Sequence, residues 1–487
     1  MPSIWKVPSV LLIAAVACFF LGSRPSFRPV HRGSDHYGTQ SDLLYAQTSL
    51  QWRRPIGDFP QAAFSVGPVR TKVPTVHGQL PVVSLVMPFK DLFDPWTGIH
   101  TVGHAILHDA DQVALKYMRE PRWWKYPGNY LFRGKEWERE AHMEIFDASG
   151  ATVCNEVVGV RINGNTTRGF PQKALRITFT GKDPKALFGS VPGTYDEIVL
   201  RASGNDQDRT MFRDALQHRL CEGLPFDVSR AVQSVVYLNG TYWGIHNIRE
   251  RVEDDELAKR YGLKKKDIVI LADRALLYRG KDSTEVKRFK VMLRRLEQMD
   301  ASTSAFVDSM EAKLDVDGFF TYMAAQIIFG NSDWPDQNVK YWRCTGAHDT
   351  SNASTDGRWR FIMGDSDLGF GYGELPPDRW PDMFEHLRRK KGPVARLFNS
   401  CLRSPLLAAR FDRILRDLLN GPLSADRMKT MVSEMAGNID AEMHRHVRRW
   451  RRPADHALWQ GYVNAMVLFA HNRPHYILRQ WESRKKQ

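Results

Sequence analysis

The sequence predicts an α+β protein with a β-rich N-terminal part and a helical C-terminal part, and two patterns carry that reading. Between Leu80 and Arg249, short runs of Val, Ile, Leu, Phe and Trp are separated by Gly, Pro, Asn and Asp turns, as strands require. Beyond Tyr372 the apolar residues recur at helical spacing from Pro393 to Cys401, Pro405 to Leu419, Ala425 to Arg449 and Ala457 to Gln480. No fixed-period repeat runs through the chain.

Composition narrows the class. A chain of 487 residues, 43 % hydrophobic and 25 % charged, buries a real core, which excludes a disordered or fibrous protein. Lys and Arg number 69 against 55 Asp and Glu, a formal charge of +14. That balance suits polyanions, anionic surfaces or phosphate-bearing ligands. The basic runs at Lys264–Lys266, His386–Lys391 and His444–Arg452 are framed by no nucleic-acid motif, so no nucleic-acid partner is expected. Cysteine occurs at 18, 154, 221, 344 and 401 with no C-x-x-C pair, which removes zinc-ribbon and thioredoxin chemistry.

In chain order, residues 1–23 contain the apolar run Leu11–Leu21 behind Lys6, a signal peptide or signal anchor. Export follows from it, with membrane attachment only through this segment. Residues 24–79 are rich in Pro, Arg, Ser and Gln without periodicity and read as a low-structure linker. The folded unit is expected over 80–480, its β-rich part over 80–260 and its mainly helical part over 261–480, with a basic tail at 481–487. Pro81 to Met87, His100 to Leu107 and Ala141 to Phe146 read as extended. Val157 to Ile162 leads through Asn163-Gly164-Asn165 and Arg168 to Lys173 into a strand at Ala174 to Phe179. A Gly-containing loop lets backbone approach phosphates, and a basic residue on the adjoining strand, Lys173 or Arg176, neutralises them.

Glu197 to Arg201 is a further strand. Thr210 or Asp208 caps a helix over Met211 to Glu222 that stops at Gly223. Val232 to Leu238 and Trp243 to Arg249 flank Asn239-Gly240, a strong hairpin signal. Glu250 opens a helix whose first turns carry Glu253, Asp254, Asp255 and Glu256, as the helix dipole favours, and which ends near Gly262. Val316 to Phe329 is a helix capped by Asp315 and stopped by Gly330.

That helix delivers the chain into Asn331-Ser-Asp333-Trp-Pro-Asp336-Gln-Asn338. Val339 to Arg343 and Trp359 to Met363 read as paired strands, and Gly364-Asp365-Ser-Asp367 follows the second. An antiparallel hairpin places the start of one strand beside the end of the other, so Asp333 and Asn338 converge with Asp365 and Asp367. Oxygen ligands at one sheet end suit a hard cation such as Mg²⁺, completed by water and substrate phosphates.

The ordered set of motifs resembles the CotH family of atypical secretory protein kinases, over roughly Leu80 to Gln480. It comprises Gly159-Val-Arg161-Ile-Asn-Gly164-Asn165 with Phe170-Pro-Gln-Lys173, and Leu200-Arg-Ala-Ser-Gly-Asn-Asp206 with Phe212-Arg213-Asp214. Leu238-Asn-Gly240-Thr-Tyr-Trp-Gly244 with Arg249-Glu250-Arg251 follows, then Asn331-Ser-Asp333 with Asn338, and Phe361-Ile-Met-Gly-Asp365-Ser-Asp367 with Phe370-Gly371. The resemblance implies an atypical protein-kinase-like fold that uses ATP and Mg²⁺ or Mn²⁺ to phosphorylate a secreted or surface protein. The spacing of Asp333 and Asn338 matches the Asp-x-x-x-x-Asn catalytic loop of protein kinases. By that mapping Asp333 orients the acceptor hydroxyl, and Asn338, Asp365 and Asp367 hold the metal. Lys173 contacts phosphate with Arg176 and Arg161 as second choices, and Glu250 orients Lys173 or touches nucleotide. The family often carries a second Lys where Gln172 stands. A silent scaffold binding anionic surface polymer or a coat protein is the competing reading.

Overall fold

The computed structural model describes residues 80–101, 128–181, 185–189, 193–280, 282–376 and 380–485. The expected signal segment, the linker and most of the run read as extended at His100 to Leu107 lie outside these residues. The chain enters through β1 (Val82–Val86) and the short α1 (Phe89–Phe93), then β2 (Arg139–Phe146), β3 (Thr152–Ile162), β4 (Leu175–Phe179) and β5 (Glu197–Arg201). Helix α2 (Arg213–Leu220) precedes the hairpin β6 (Ala231–Leu238) and β7 (Thr241–Glu250), which turns at Asn239-Gly240.

These seven strands close into a barrel in the order β1-β2-β3-β4-β5-β7-β6. Neighbours pair antiparallel except β1 with β6, whose parallel register sets Val82 opposite Val235 and closes the ring. Alternation sorts the two faces: Leu175, Ile177 and Phe179 of β4 enter the barrel core with Val158, Val160, Ile198 and Leu200, while Arg176 faces outward. The outward face of β3, β4, β5 and β7 consequently carries Arg161, Arg176, Glu197, Val199, Arg201 and Arg249, and Arg251 follows just beyond β7.

After α3 (Asp254–Tyr261) comes a second sheet. Its strands β8 (Ile268–Ala272) and β9 (Leu276–Arg279) are followed by α4 (Thr284–Gln298), α5 (Ser304–Glu311) and α6 (Val316–Phe329), then β10 (Val339–Cys344) and β11 (Arg360–Met363). The order is β11-β10-β8-β9, all antiparallel. The hairpin expected from the sequence is thus the edge of a larger sheet. Helix α6 is buried on all sides, as its apolar sequence demands, with Asp315 accepting from the Gly318 amide at 3.3 Å and Gly330 ending it in the left-handed region. Helices α7 (Met383–Arg389), α8 (Pro393–Cys401), α9 (Pro405–Asn420), α10 (Ala425–Trp450) and α11 (His456–Lys485) complete the chain.

Two local expectations are corrected. Neither Thr210 nor Asp208 caps α2, which begins after Phe212; Asp206 folds back instead, its carboxylate accepting from the Arg213 amide at 3.0 Å and from Arg213 Nε at 3.0 Å. Glu250 opens no helix: it is the last residue of β7, and α3 starts four residues later at Asp254. Cys154, Cys221, Cys344 and Cys401 are buried free thiols. Among the described residues no helix is long and apolar enough to cross a membrane.

Candidate active site

Register decides what meets at the hairpin. Val339 pairs with Met363, so Asn338 lies against Gly364, where a side chain would strike the Asn338 carbonyl oxygen at 2.2 Å. Asn338 Nδ2 donates to Asp333 Oδ2 at 2.8 Å, and Asn331 Nδ2 donates to the Asp365 carbonyl at 3.3 Å. The two loops are therefore stitched together. Burial, then the charge of Asp365, raise the Asp333 pKa, against the pull of the Asn338 hydrogen bond and Lys390.

Helix α2 forms the other wall, and its sequence explains why it is polar yet buried. Asp214, Gln217 and His218 stand at i, i+3 and i+4 and all reach the Gly364–Asp367 loop. Asp214 Oδ1 accepts from the Ser366 amide at 2.9 Å, Gln217 Nε2 donates to the Ser366 carbonyl at 2.8 Å, and His218 Nε2 donates to the Gly364 carbonyl at 3.0 Å. His218 Nδ1 meanwhile accepts from the Ser229 amide at 3.1 Å, which fixes the tautomer.

This clamp creates a triad that the sequence did not reveal: Asp214, Asp365 and Asp367 each offer an oxygen within 4.8 Å of the others. Arg201 spans it, with Nη2 at 2.9 Å from both Asp365 Oδ1 and Asp367 Oδ2 and Nε at 3.6 Å from Asp214 Oδ2. Arg249 lies 2.7 Å from Asp214 Oδ2. Burial alone would raise the Asp214 pKa, but Arg249 and Arg201 outweigh it and hold the group well below the usual carboxylate range. Asp367 goes the other way. Its burial and the like charges of Asp365 and Asp214 prevail over Arg201 and push it well up.

The triad fits a hard cation on the donor set, which is oxygen alone, and on a further observation. Asp367 Oδ1 is buried with no hydrogen-bond donor among the described residues, although Oδ2 takes the Asn205 amide at 2.8 Å. Gly204 makes the close approach of that backbone feasible, since a Cβ there would lie 2.0 Å from Asp367 Oδ2. Asn338 spends its amide nitrogen on Asp333, so Oδ1 is the atom it could offer a cation.

Around these groups is a cleft of about 320 Å³ between the outer barrel face and the second sheet. It is lined by Asn163, Val199, Arg201, Asp214, Arg249, Arg251, Val252, Asn338, Lys340, Met363 and Asp365, among others. The volume falls in the ~300–1,000 Å³ range of small-molecule sites. Lys340 sits over the Tyr278 ring at 4.2 Å and 3.9 Å from Glu253, and burial lowers its pKa to about 8. Arg251 reaches Glu197 at 3.1 Å, and Glu197 also binds Arg161 at 3.1 Å and Arg176. Arg161 and Arg176, opposite each other in the β3–β4 register, therefore join Arg251 through the shared Glu197 carboxylate on the outer barrel face.

The structure does not bring Lys173 there. Lys173 shares the strand parity of Leu175 and Ile177, so its ammonium turns inward, donates to the Phe170 carbonyl at 2.8 Å and lies 4.1 Å from the Tyr130 ring centroid. Burial drops its pKa to about 7. Nor does Glu250 touch it. Glu250 lines the cleft, but its carboxylate is held by Arg230 at 2.6 Å and Arg260 at 3.0 Å. The missed residues, Asp214, Arg201 and Arg249, each stand inside a quoted motif, and that was their only sequence signal.

An acidic triad beside a row of arginines is the equipment of proteins that handle a cation and an anionic ligand together. The family comparison makes the class specific: the model described as CotH kinase protein matches residues 160–477, most of the chain, and the protein belongs to that kinase family. No curated protein shows a significant match to the chain.

Proposed function

We propose that the protein is an exported kinase that uses ATP and a divalent metal to phosphorylate hydroxyl side chains of a secreted or coat-type protein, on a kinase-like fold. The observation that carries this reading is that Asp214 and Asp365 of the acidic triad, Asn338 with its hydrogen-bonded partner Asp333, and Arg201, Arg249 and Arg251 of the barrel face meet at one cleft, lined by all of these but Asp333. Asp333 accepts the hydrogen bond of the acceptor hydroxyl and takes its proton as the new bond to the γ-phosphorus forms and the γ-phosphorus–oxygen bond to ADP breaks, ADP leaving. Its raised pKa makes it a better base than a solvated aspartate, and Asn338 holds its orientation.

Asp214, Asp365 and Asp367, with Asn338 Oδ1, would hold Mg²⁺ or Mn²⁺, which when bound neutralises phosphate charge. Asp365, the first acid after the strand and the most exposed of the triad, is the principal ligand in this reading. Arg201, Arg251 and Lys340, which line the cleft, face the phosphates, with Arg176 and Arg161 joined to Arg251 through Glu197, and Val199, Val252, Val339 and Met363 supply apolar walls for the base. Export rests on the apolar run Leu11–Leu21 behind Lys6.

The test is incubation of the full chain with labelled ATP and Mg²⁺ or Mn²⁺, beside Asp333→Ala and Asp365→Ala. Transfer by the parent and its loss in both variants is the expected result. Label transfer that survives both substitutions would remove the site assignment. Absence of nucleotide binding in calorimetry with metal present would favour the scaffold.

A further inference from the structure

The acceptor side of the cleft carries a feature that phosphoryl transfer itself does not use. Helix α7 ends in Arg388 and Arg389, and the chain continues through Lys390 and Lys391 to Gly392, four cations in succession against the single carboxylate of Glu385. This arm is docked on the loop that bears Asp333. His386 Nε2 donates to the Trp334 carbonyl at 2.7 Å, and Lys390 Nζ lies 3.6 Å from Asp336 Oδ2. Gly392 packs so closely that a Cβ would stand 2.1 Å from Asp336 Oδ1.

A second element brings a further cation to the same carboxylate. The tip of the β8–β9 hairpin, Asp273-Arg274-Ala275, is bound to β10 through the Asp273 amide and Val339 carbonyl at 2.9 Å, and Arg274 reaches Asp336 at 3.4 Å. The side chains stay open to solvent: Arg274 is 71 % exposed, Arg388 61 % and Arg389 74 %. Helix-dipole complementation accounts for Arg388 and Arg389 in the last turn of α7. It does not account for Lys390 and Lys391, which lie beyond the helix, or for Arg274 from the β8–β9 hairpin. Arg274 and Lys390 converge on Asp336 Oδ2, three residues downstream of Asp333, and the charge of Lys390 is felt at Asp333 itself.

We propose that this basic arm and hairpin tip form the docking surface for an acidic stretch of the protein substrate, next to the hydroxyl that Asp333 receives. The assignment rests on the kinase reading above and names the substrate class of that site: a hydroxyl residue flanked by Asp and Glu. Rim charges of this kind steer association and set specificity, and their effect falls as salt rises. A peptide carrying carboxylates beside its acceptor would meet Arg274 of the hairpin tip and the Arg388–Lys391 arm, both docked at Asp336. A basic peptide would meet like charge.

The test measures docking and transfer separately. Fluorescein-labelled serine peptides with Asp/Glu flanks or with Lys/Arg flanks are titrated with the full chain in low salt without nucleotide, following anisotropy. The acidic peptide binds, the basic one does not, and the double variant Arg389→Glu, Lys391→Glu weakens acidic-peptide binding about tenfold. With labelled ATP and Mg²⁺, the same variant raises the KM for the acidic peptide about tenfold and shifts kcat by less than about twofold. Calorimetric melting of the variant checks its folding, and an Arg274→Glu variant repeats the measurement at the hairpin tip.

Equal or tighter binding of the basic peptide, or wild-type affinity in both charge-reversed variants, overturns the proposal. So does competition by inorganic polyphosphate as strong as that of the unlabelled acidic peptide, which would make the surface a general polyanion contact. Acidic-peptide binding that the variants weaken, with no label transferred to any peptide, supports the docking surface and overturns the kinase reading.

Discussion

Two buried ionic clusters flank the 227–230 segment, and they resolve an excess of acid differently. Behind it, Asp227 accepts from Arg260 at 2.7 Å, Tyr261 at 2.9 Å and Trp342 at 2.7 Å, and Glu250 is bound by Arg230 and Arg260. Every oxygen of these two carboxylates has a donor. The remaining acid, Glu256, is pushed up to about 7 by burial and by Glu250, with which it shares a hydrogen bond. A proton completes that cluster. In front, Asp214, Asp365 and Asp367 face Arg201 and Arg249, and Asp367 Oδ1 has no donor among the described residues. The comparison teaches how to tell a structural ionic network from a functional one: the first is saturated by its own donors, and the second retains an oxygen and a charge for a ligand.

The sharpest break of this comparison is substitution in front. Asp367→Asn and Asp365→Ala are each expected to lower label transfer by at least about 10²–10³-fold, as loss of charge stabilisation at a reacting phosphate does. Because each substitution removes one of three repelling carboxylates, the melting temperature in metal-free buffer stays within about 4 °C of the parent, measured by calorimetry. Behind the segment the pattern reverses. Glu250→Gln leaves Arg230 and Arg260 without their carboxylate and costs about 3 kcal/mol in denaturant unfolding.

A smaller effect separates the two lysines. Lys340→Met raises the ATP KM about tenfold, roughly 1.4 kcal/mol, whereas Lys173→Met, in the barrel end, leaves it within about twofold. Steady-state kinetics on both variants decides between the inward and the cleft-facing lysine.

The smallest effect is in the pH profile. Glu256 ordinarily titrates near 4.5 and is raised to about 7 in the fold, so between those values the folded chain holds the proton more tightly than the unfolded one. Its stabilising contribution is complete below about pH 4.5 and is lost as pH rises through about 7. Glu256→Gln is expected to flatten that slope and to be the more stable protein above pH 7, read from urea midpoints across the window.

Much of the local architecture was legible in the sequence. The Asn239-Gly240 hairpin, helix α6 between Asp315 and Gly330, and the β10–β11 pair follow from turn chemistry, capping and composition within a few residues. The convergence of Asp333, Asn338 and Asp365 was legible for the same reason, since a hairpin register carries the ends of its flanking loops with it. The strand parity that turns Lys173 inward and Arg176 outward was also written in Leu175-Arg-Ile-Thr-Phe179, but a basic residue beside a glycine loop drew the assignment to the wrong side.

What the sequence determined by itself, then, is the set of local elements and the loops they deliver, because hydrogen-bond period, caps and turns act over short separations. Only the tertiary structure decided that β1 closes on β6, that β8 and β9 extend the second sheet, and that α2 and β5 place Asp214 and Arg201 against a loop about 150 residues downstream. Those contacts are fixed by packing two apolar cores on each other. The charges are carried to one cleft because the outer barrel face and the loop ends have nowhere else to bury them.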